Sequence, residues 1–194
     1  MIAYLKGKLT YKSPTGVIME VNGIGYEVPI SLNTYNEIQA MDTCMLYTYF
    51  HVKEDAQILY GFFDPSEKNL FIHLISVSGI GPNTARLVLS ALNVQEIQSA
   101  ILAEDVNSLK SIKGIGPKTA KRVILELKDK LLKEGTPLSK TAIKDNTMLE
   151  DALSALAALG IPKSAGQKAL DRVLKANSSP MGVGEIVKQA LKLL

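Results

Sequence analysis

Ser78-Gly79-Ile80-Gly81-Pro82-Asn83-Thr84-Ala85 recurs 35 residues later as Lys113-Gly114-Ile115-Gly116-Pro117-Lys118-Thr119-Ala120, with six of the eight positions identical. Val88 and Val123 extend the match. Each copy follows an apolar helical stretch (70–77; 106–112) and precedes another (86–92; 121–132), so both read as helix, tight turn, helix. The two glycines allow positive φ on either side of an isoleucine that anchors the turn in a core. Proline at the first helical position gives up an N–H that has no partner there anyway. The next N–H groups point outward with the positive end of the helix dipole behind them, a phosphate site that needs no side-chain charge. Such a site positions a nucleic-acid backbone without reading its sequence. The alternative is a plain connection between antiparallel helices. The duplication and the surroundings of the second copy favour nucleic acid: Lys110 to Lys133 holds eight basic residues against Glu126 and Asp129. Gly23-Ile24-Gly25, with no helix to follow, shows that the tripeptide alone carries nothing.

Upstream of the repeat, residues 1–63 read as β. Stretches 2–10, 16–21, 25–30, 45–52 and 57–63 are rich in Val, Ile, Tyr, Phe and Thr. Asn22-Gly23 marks a hairpin, and 31–39 a short helix. Five strands and one helix suggest an OB-type barrel. Asp64-Pro65-Ser66-Glu67 opens the helical region, with an N-cap residue, a first-position proline and a Glu placed for a capping box. Downstream, 135–146 is polar, aperiodic and contains Gly and Pro, as a flexible linker does. Thr147-Met-Leu-Glu150 reads as another capping box, opening the first of three short helices (149–159, 163–175, 184–193). The expected class is therefore α+β multidomain: a β-barrel (1–63), a double-hairpin domain (64–134), a linker (135–146) and a three-helix domain (147–194).

Composition excludes several other classes. The 194 residues are 46% hydrophobic and 21% charged, ordinary for a globular protein. One cysteine and two histidines leave no internal disulfide and no Cys/His zinc site. There is no membrane-length apolar run and no signal-peptide pattern, so a cytoplasmic protein is expected. The net charge of +3 is unevenly spread: residues 1–63 carry −2 and residues 64–134 carry +2.

The duplicated motif resembles the tandem helix-hairpin-helix. The whole order, together with His51-Val-Lys-Glu54-Asp55-Ala-Gln-Ile-Leu-Tyr60-Gly61-Phe62, resembles the RuvA family of Holliday-junction-binding proteins. The resemblance implies a homotetramer that holds a four-way junction open and recruits the RuvB ATPase motor for branch migration, with the RuvC resolvase as a further partner. It places DNA contacts at Gly79, Gly81, Asn83 and Thr84 and at Gly114, Gly116, Lys118 and Thr119, with side-chain charge from Lys121 and Arg122. Asn83 departs from the basic residue common there, so the first hairpin binds more weakly or leans on Arg86. Lysines 128, 130 and 133 read as a solvated helix face. Glu54 and Asp55, by themselves a solvated turn, become a pin that repels phosphates at the crossover. Leu159, Ile161, Leu170 and Val173 become motor contacts; their plain reading is the core of the small domain. No phosphate-binding G-x-x-x-x-G-K-[ST] loop is present, so ATP and magnesium belong to the motor, and this chain needs no cofactor, metal or catalytic residue. The competing reading is a repair enzyme, a glycosylase or nuclease gripping DNA through the same motif. Its catalytic Asp would follow the second hairpin, where Asp145 has no evident apolar pocket.

Overall fold

A computed structural model describes residues 1–134, 144–176 and 181–193. The chain forms two compact units, Met1–Gly135 and Thr136–Leu194. The first begins with strands β1 (Tyr4–Ser13), β2 (Gly16–Val21) and β3 (Ile24–Pro29), helix α1 (Leu32–Ile38), then β4 (Thr43–Val52) and β5 (Gln57–Phe62). The sheet is antiparallel in the order β3-β2-β1-β4-β5. Asn22 and Gly23 take φ of 50° and 82°, the left-handed pair that an Asn-Gly hairpin turn requires. β1 runs three residues past the expected Thr10, because its register shifts between Leu9 and Tyr11 and lets the strand bend and continue pairing with β2. The sheet curls into an OB-like near-barrel. Where β3 and β5 approach, a side chain at Gly61 would stand 2.5 Å from Val28 Cγ1, so the closure depends on glycine there. Leu5, Val17, Met19, Val28, Ile38, Leu46 and Leu59 fill the interior.

Strand β5 serves two cores by alternation. Leu59 points into the barrel, whereas Tyr60 and Phe62 join the helical core, where the Phe62 and Phe71 rings lie 4.9 Å apart. That core belongs to α2 (Pro65–Ser76), α3 (Pro82–Ala91), α4 (Val94–Leu102), α5 (Val106–Lys110) and α6 (Pro117–Glu134). α2 starts at Pro65 behind an Asp64 N-cap whose side chain accepts from the Ser66 N–H. Glu67 does not complete a capping box: it is buried, and its carboxylate accepts from Ser31 and Thr34 of the α1 region instead. The capping box in this region is at α4, where Asn93 and Glu96 satisfy each other's backbone N–H.

The second unit holds α7 (Lys144–Ala158), α8 (Lys163–Ala176) and α9 (Val183–Leu191) around Ala152, Leu156, Ala169, Leu170, Val173, Ile186 and Ala190. α7 begins three residues before Thr147, so Thr147 lies within the helix and does not cap it. Most of the expected linker, residues 135–143, is outside the described residues. α7 ends in a Schellman turn. Gly160, with φ of 85°, donates to the Ala157 carbonyl, and Ile161 donates to that of Leu156.

Candidate nucleic-acid interface

Both repeats fold alike. Ile80 N–H donates to Val77 O and Ile115 N–H to Ile112 O, and both isoleucines are buried. Only the first glycine of each pair takes positive φ, 96° at Gly79 and 94° at Gly114. The expectation of positive φ on both sides of the isoleucine is corrected here. Gly81 is extended (φ −90°, ψ 170°) and is the N-cap of α3. An N-cap without a side chain offers no acceptor, so the N–H groups of Asn83 and Thr84 have no cap. Gly116 stands in the same place before Pro117, and its carbonyl accepts from Ala120 N–H as that of Gly81 accepts from Ala85 N–H.

The tertiary fold sets the two turns against each other reciprocally. A side chain at Gly79 would lie 3.9 Å from Thr119 Oγ1, and one at Gly114 would lie 3.6 Å from Thr84 Cγ2. Each turn thus packs beside the threonine of the other repeat, and the helix N-termini of α3 and α6 share one surface. Asn83, Lys118 and Lys121 are exposed there. This arrangement suits two phosphates held by backbone donors, with lysine charge concentrated on the second turn.

Other basic residues have structural partners. Arg122 Nη1 donates to Ser78 O at 3.1 Å, which braces the second hairpin against the first turn, and its Nε lies 3.9 Å from Glu126. Arg86 donates to Thr15 O at 2.7 Å and approaches Ile30 O at 3.5 Å. Its Nη1 is held by barrel carbonyls, while the guanidinium keeps its positive charge close to Tyr60, the partner of Asn83. Asn83 Oδ1 accepts from the Tyr60 hydroxyl at 3.4 Å. Lys128 pairs with Glu104, holding that carboxyl below its usual range, and Lys130 donates to Ser76 Oγ. Both bonds lie at the surface, so these two lysines belong to the expected solvated face and have partners across it. Nothing in the local sequence marks them, because their partners lie 24 and 54 residues away.

Glu54 and Asp55 occupy the tip of the β4–β5 hairpin, exposed, between Lys53 and Ala56, which are joined by a 2.8 Å backbone bond. In the second unit, Leu170 and Val173 are core residues, Ile161 is partly buried against that core, and Leu159 is 60% exposed. Among the described residues no group of His, Cys, Asp and Glu is placed to hold a metal ion, and no helix is long and apolar enough to cross a membrane.

Residues 1–61 match the RuvA N terminal domain, residues 71–129 a SAM-like helix-hairpin-helix tandem, and residues 147–194 the RuvA C-terminal domain. The chain is 46% identical over 198 residues to the Holliday junction branch migration complex subunit RuvA of Cytophaga hutchinsonii, with all of both chains covered. It is 45% identical to the protein of that name from Amoebophilus asiaticus, covering 99% of this chain and 100% of the relative. Identity to the Christiangramia forsetii protein of that name is 47% over the full length of both.

Proposed function

The chain belongs to the RuvA family, and on that premise we propose that it binds four-way DNA junctions by shape, as a non-catalytic subunit of a branch-migration complex in recombination and repair. The observation that carries the reading is the pair of reciprocal hairpin turns with uncapped helix N-termini on one surface. Gly79, Gly81, Asn83, Thr84, Gly114, Gly116, Lys118 and Thr119 form the contact surface, and Lys121 adds charge. Asn83 leaves the first turn to backbone donors alone. Glu54 and Asp55 act as the acidic pin. Four copies assembled around the crossover would gather these carboxylates into a ring that repels phosphates and guides strands outward. The second unit carries the contact with the RuvB motor, which supplies ATP hydrolysis with its magnesium, and Leu159 with the edge of Ile161 offers apolar surface for it, as do the exposed Leu191 and Leu193. RuvC is the further partner, and the cytosol the site of action.

The test is a gel shift of the full chain with a four-way junction and a duplex of equal length, with solution mass measured in parallel. Tighter junction binding by a tetramer supports the reading; equal binding overturns it. Magnesium-dependent cleavage of the junction by this chain alone would replace it with the enzyme reading. Glu54→Gln with Asp55→Asn should let duplex compete better at low salt, and the difference should shrink near 1 M salt, where screening reaches ~3 Å.

A further inference from the structure

Helix α1 is a seven-residue insertion in the barrel, yet its polar side chains are directed away from it. Ser31, its N-cap, accepts from Thr34 N–H at 3.0 Å and donates to Glu67 Oε1. Thr34 accepts from Phe63 N–H at 3.0 Å and donates to Glu67 Oε2 at 2.6 Å. Each hydroxyl therefore accepts from a backbone N–H and directs its single proton to the carboxylate. Ser31, Thr34 and Glu67 are all buried. At the far end of the first hairpin, Asn33 Nδ2 donates to Leu89 O at 2.6 Å and Leu92 O at 3.0 Å, and Leu32 N–H donates to Ser90 Oγ at 3.1 Å. The two Asn33 bonds engage carbonyls that the C-terminus of α3 leaves without helical partners. Thus one short helix grips the start of α2 and the end of α3.

We infer that α1 is a polar brace, with Glu67 and Asn33 as positioning residues, that fixes the first hairpin relative to the Glu54–Asp55 tip and so sets selectivity for a junction over a duplex. The hairpins would hold phosphates without it, since their mutual contacts (Arg122 to Ser78, Thr119 beside Gly79, Thr84 beside Gly114) involve no residue of α1. A junction differs from a duplex in having a centre, and reading that centre requires the backbone donors at a set distance from the pin. Apolar packing gives the interface area but little direction; Arg86 to Thr15 O and Tyr60 to Asn83 direct one side of it, and the five side-chain hydrogen bonds of the α1 region direct the other and resist sliding and rotation. The inference rests on the proposed junction binding.

The experiment compares the full-length parent with Asn33→Ala, Glu67→Ala and Glu67→Gln, each assayed well below its own unfolding midpoint against junction and duplex. A parent with no junction preference removes the functional reading itself. Given that preference, Asn33→Ala and Glu67→Ala should lose about tenfold in junction affinity through lost preorganisation, with duplex affinity nearly unchanged. Glu67→Gln, which keeps the length and one acceptor oxygen, should recover most of the loss. Equal loss for junction and duplex, or none for either, in folded variants overturns the brace. Should Glu67→Ala fail to fold, Asn33→Ala decides alone, because that side chain is only partly buried.

Discussion

Gly79 and Gly81 are two residues apart and do different work, which separates two kinds of substitution. At Gly79 and Gly114 the backbone is left-handed, and alanine there costs roughly 1–2 kcal/mol of strain per site. At Gly81 and Gly116 a Cβ would meet nothing within 4 Å, so the fold tolerates alanine. On the proposed reading, the added methyl projects where a phosphate would approach the donors of the first turn. Gly81→Ala with Gly116→Ala should therefore leave the thermal midpoint within a few degrees of the parent and weaken junction binding, checked by melting and gel shift on the same preparation. A double mutant that binds like the parent would reduce the hairpins to structural turns. Glu67 gives a pH prediction at this scale. Burial pushes its carboxyl up, the Ser31 and Thr34 hydroxyls pull it partly back, and nearby Asp64 pushes it up again. The folded state thus holds the proton more tightly than the unfolded chain. Its contribution is complete below the ordinary glutamate range and fades as pH rises through the raised folded value. Glutamine does not titrate, so the midpoint of the parent relative to Glu67→Gln should fall across the range that starts at the ordinary glutamate value and runs upward in pH. A constant difference across that range would show that the shift is absent.

At the level of elements, the proposed interface divides the basic residues of α6 between DNA and protein. Lys118 and Lys121 are exposed by the turn, whereas Arg122 faces Ser78 O and Glu126. A phosphate contact and a brace differ in salt dependence. Each neutralised phosphate contributes close to one unit of slope in log affinity against log salt. Lys118→Gln should lower that slope by about one per protomer contact. Arg122→Gln should reduce affinity with the slope unchanged, because it loosens the first turn without removing an ion contact. Titrations at several salt concentrations check both, and a reduced slope for Arg122→Gln would return it to the contact surface. The sequence reading placed Arg122 among the DNA contacts because a basic residue near the turn is all that local sequence offers. The carbonyl it holds is 44 residues away. The same limit hid α1 as a brace.

For the whole molecule, the two compact units predict separable tasks. A fragment ending at Leu132 keeps the barrel, both hairpins and the described core of the first unit. It should bind junctions and oligomerise, yet fail to stimulate the RuvB motor; gel shift, solution mass and a branch-migration assay read the three properties. Loss of junction binding by a folded fragment would remove residues 148–194 from an exclusively motor-facing role. Pattern and spacing along the chain determined the β region, the helical region, both turns and the family resemblance, because alternation, periodicity, glycine and proline act within a few residues of where they stand. Local pattern also misassigned Glu67 and Thr147 to capping boxes, since a capping signature is silent about a stronger distant partner or a helix that starts earlier. Only the tertiary structure decided which side of each turn needs positive φ, how Thr84 and Thr119 cross between repeats, and which basic residues are struts. The crossing and the struts depend on atoms brought together from 24 to 71 residues apart, and hydrogen-bond geometry and close packing act on distance in space, whatever the separation in sequence.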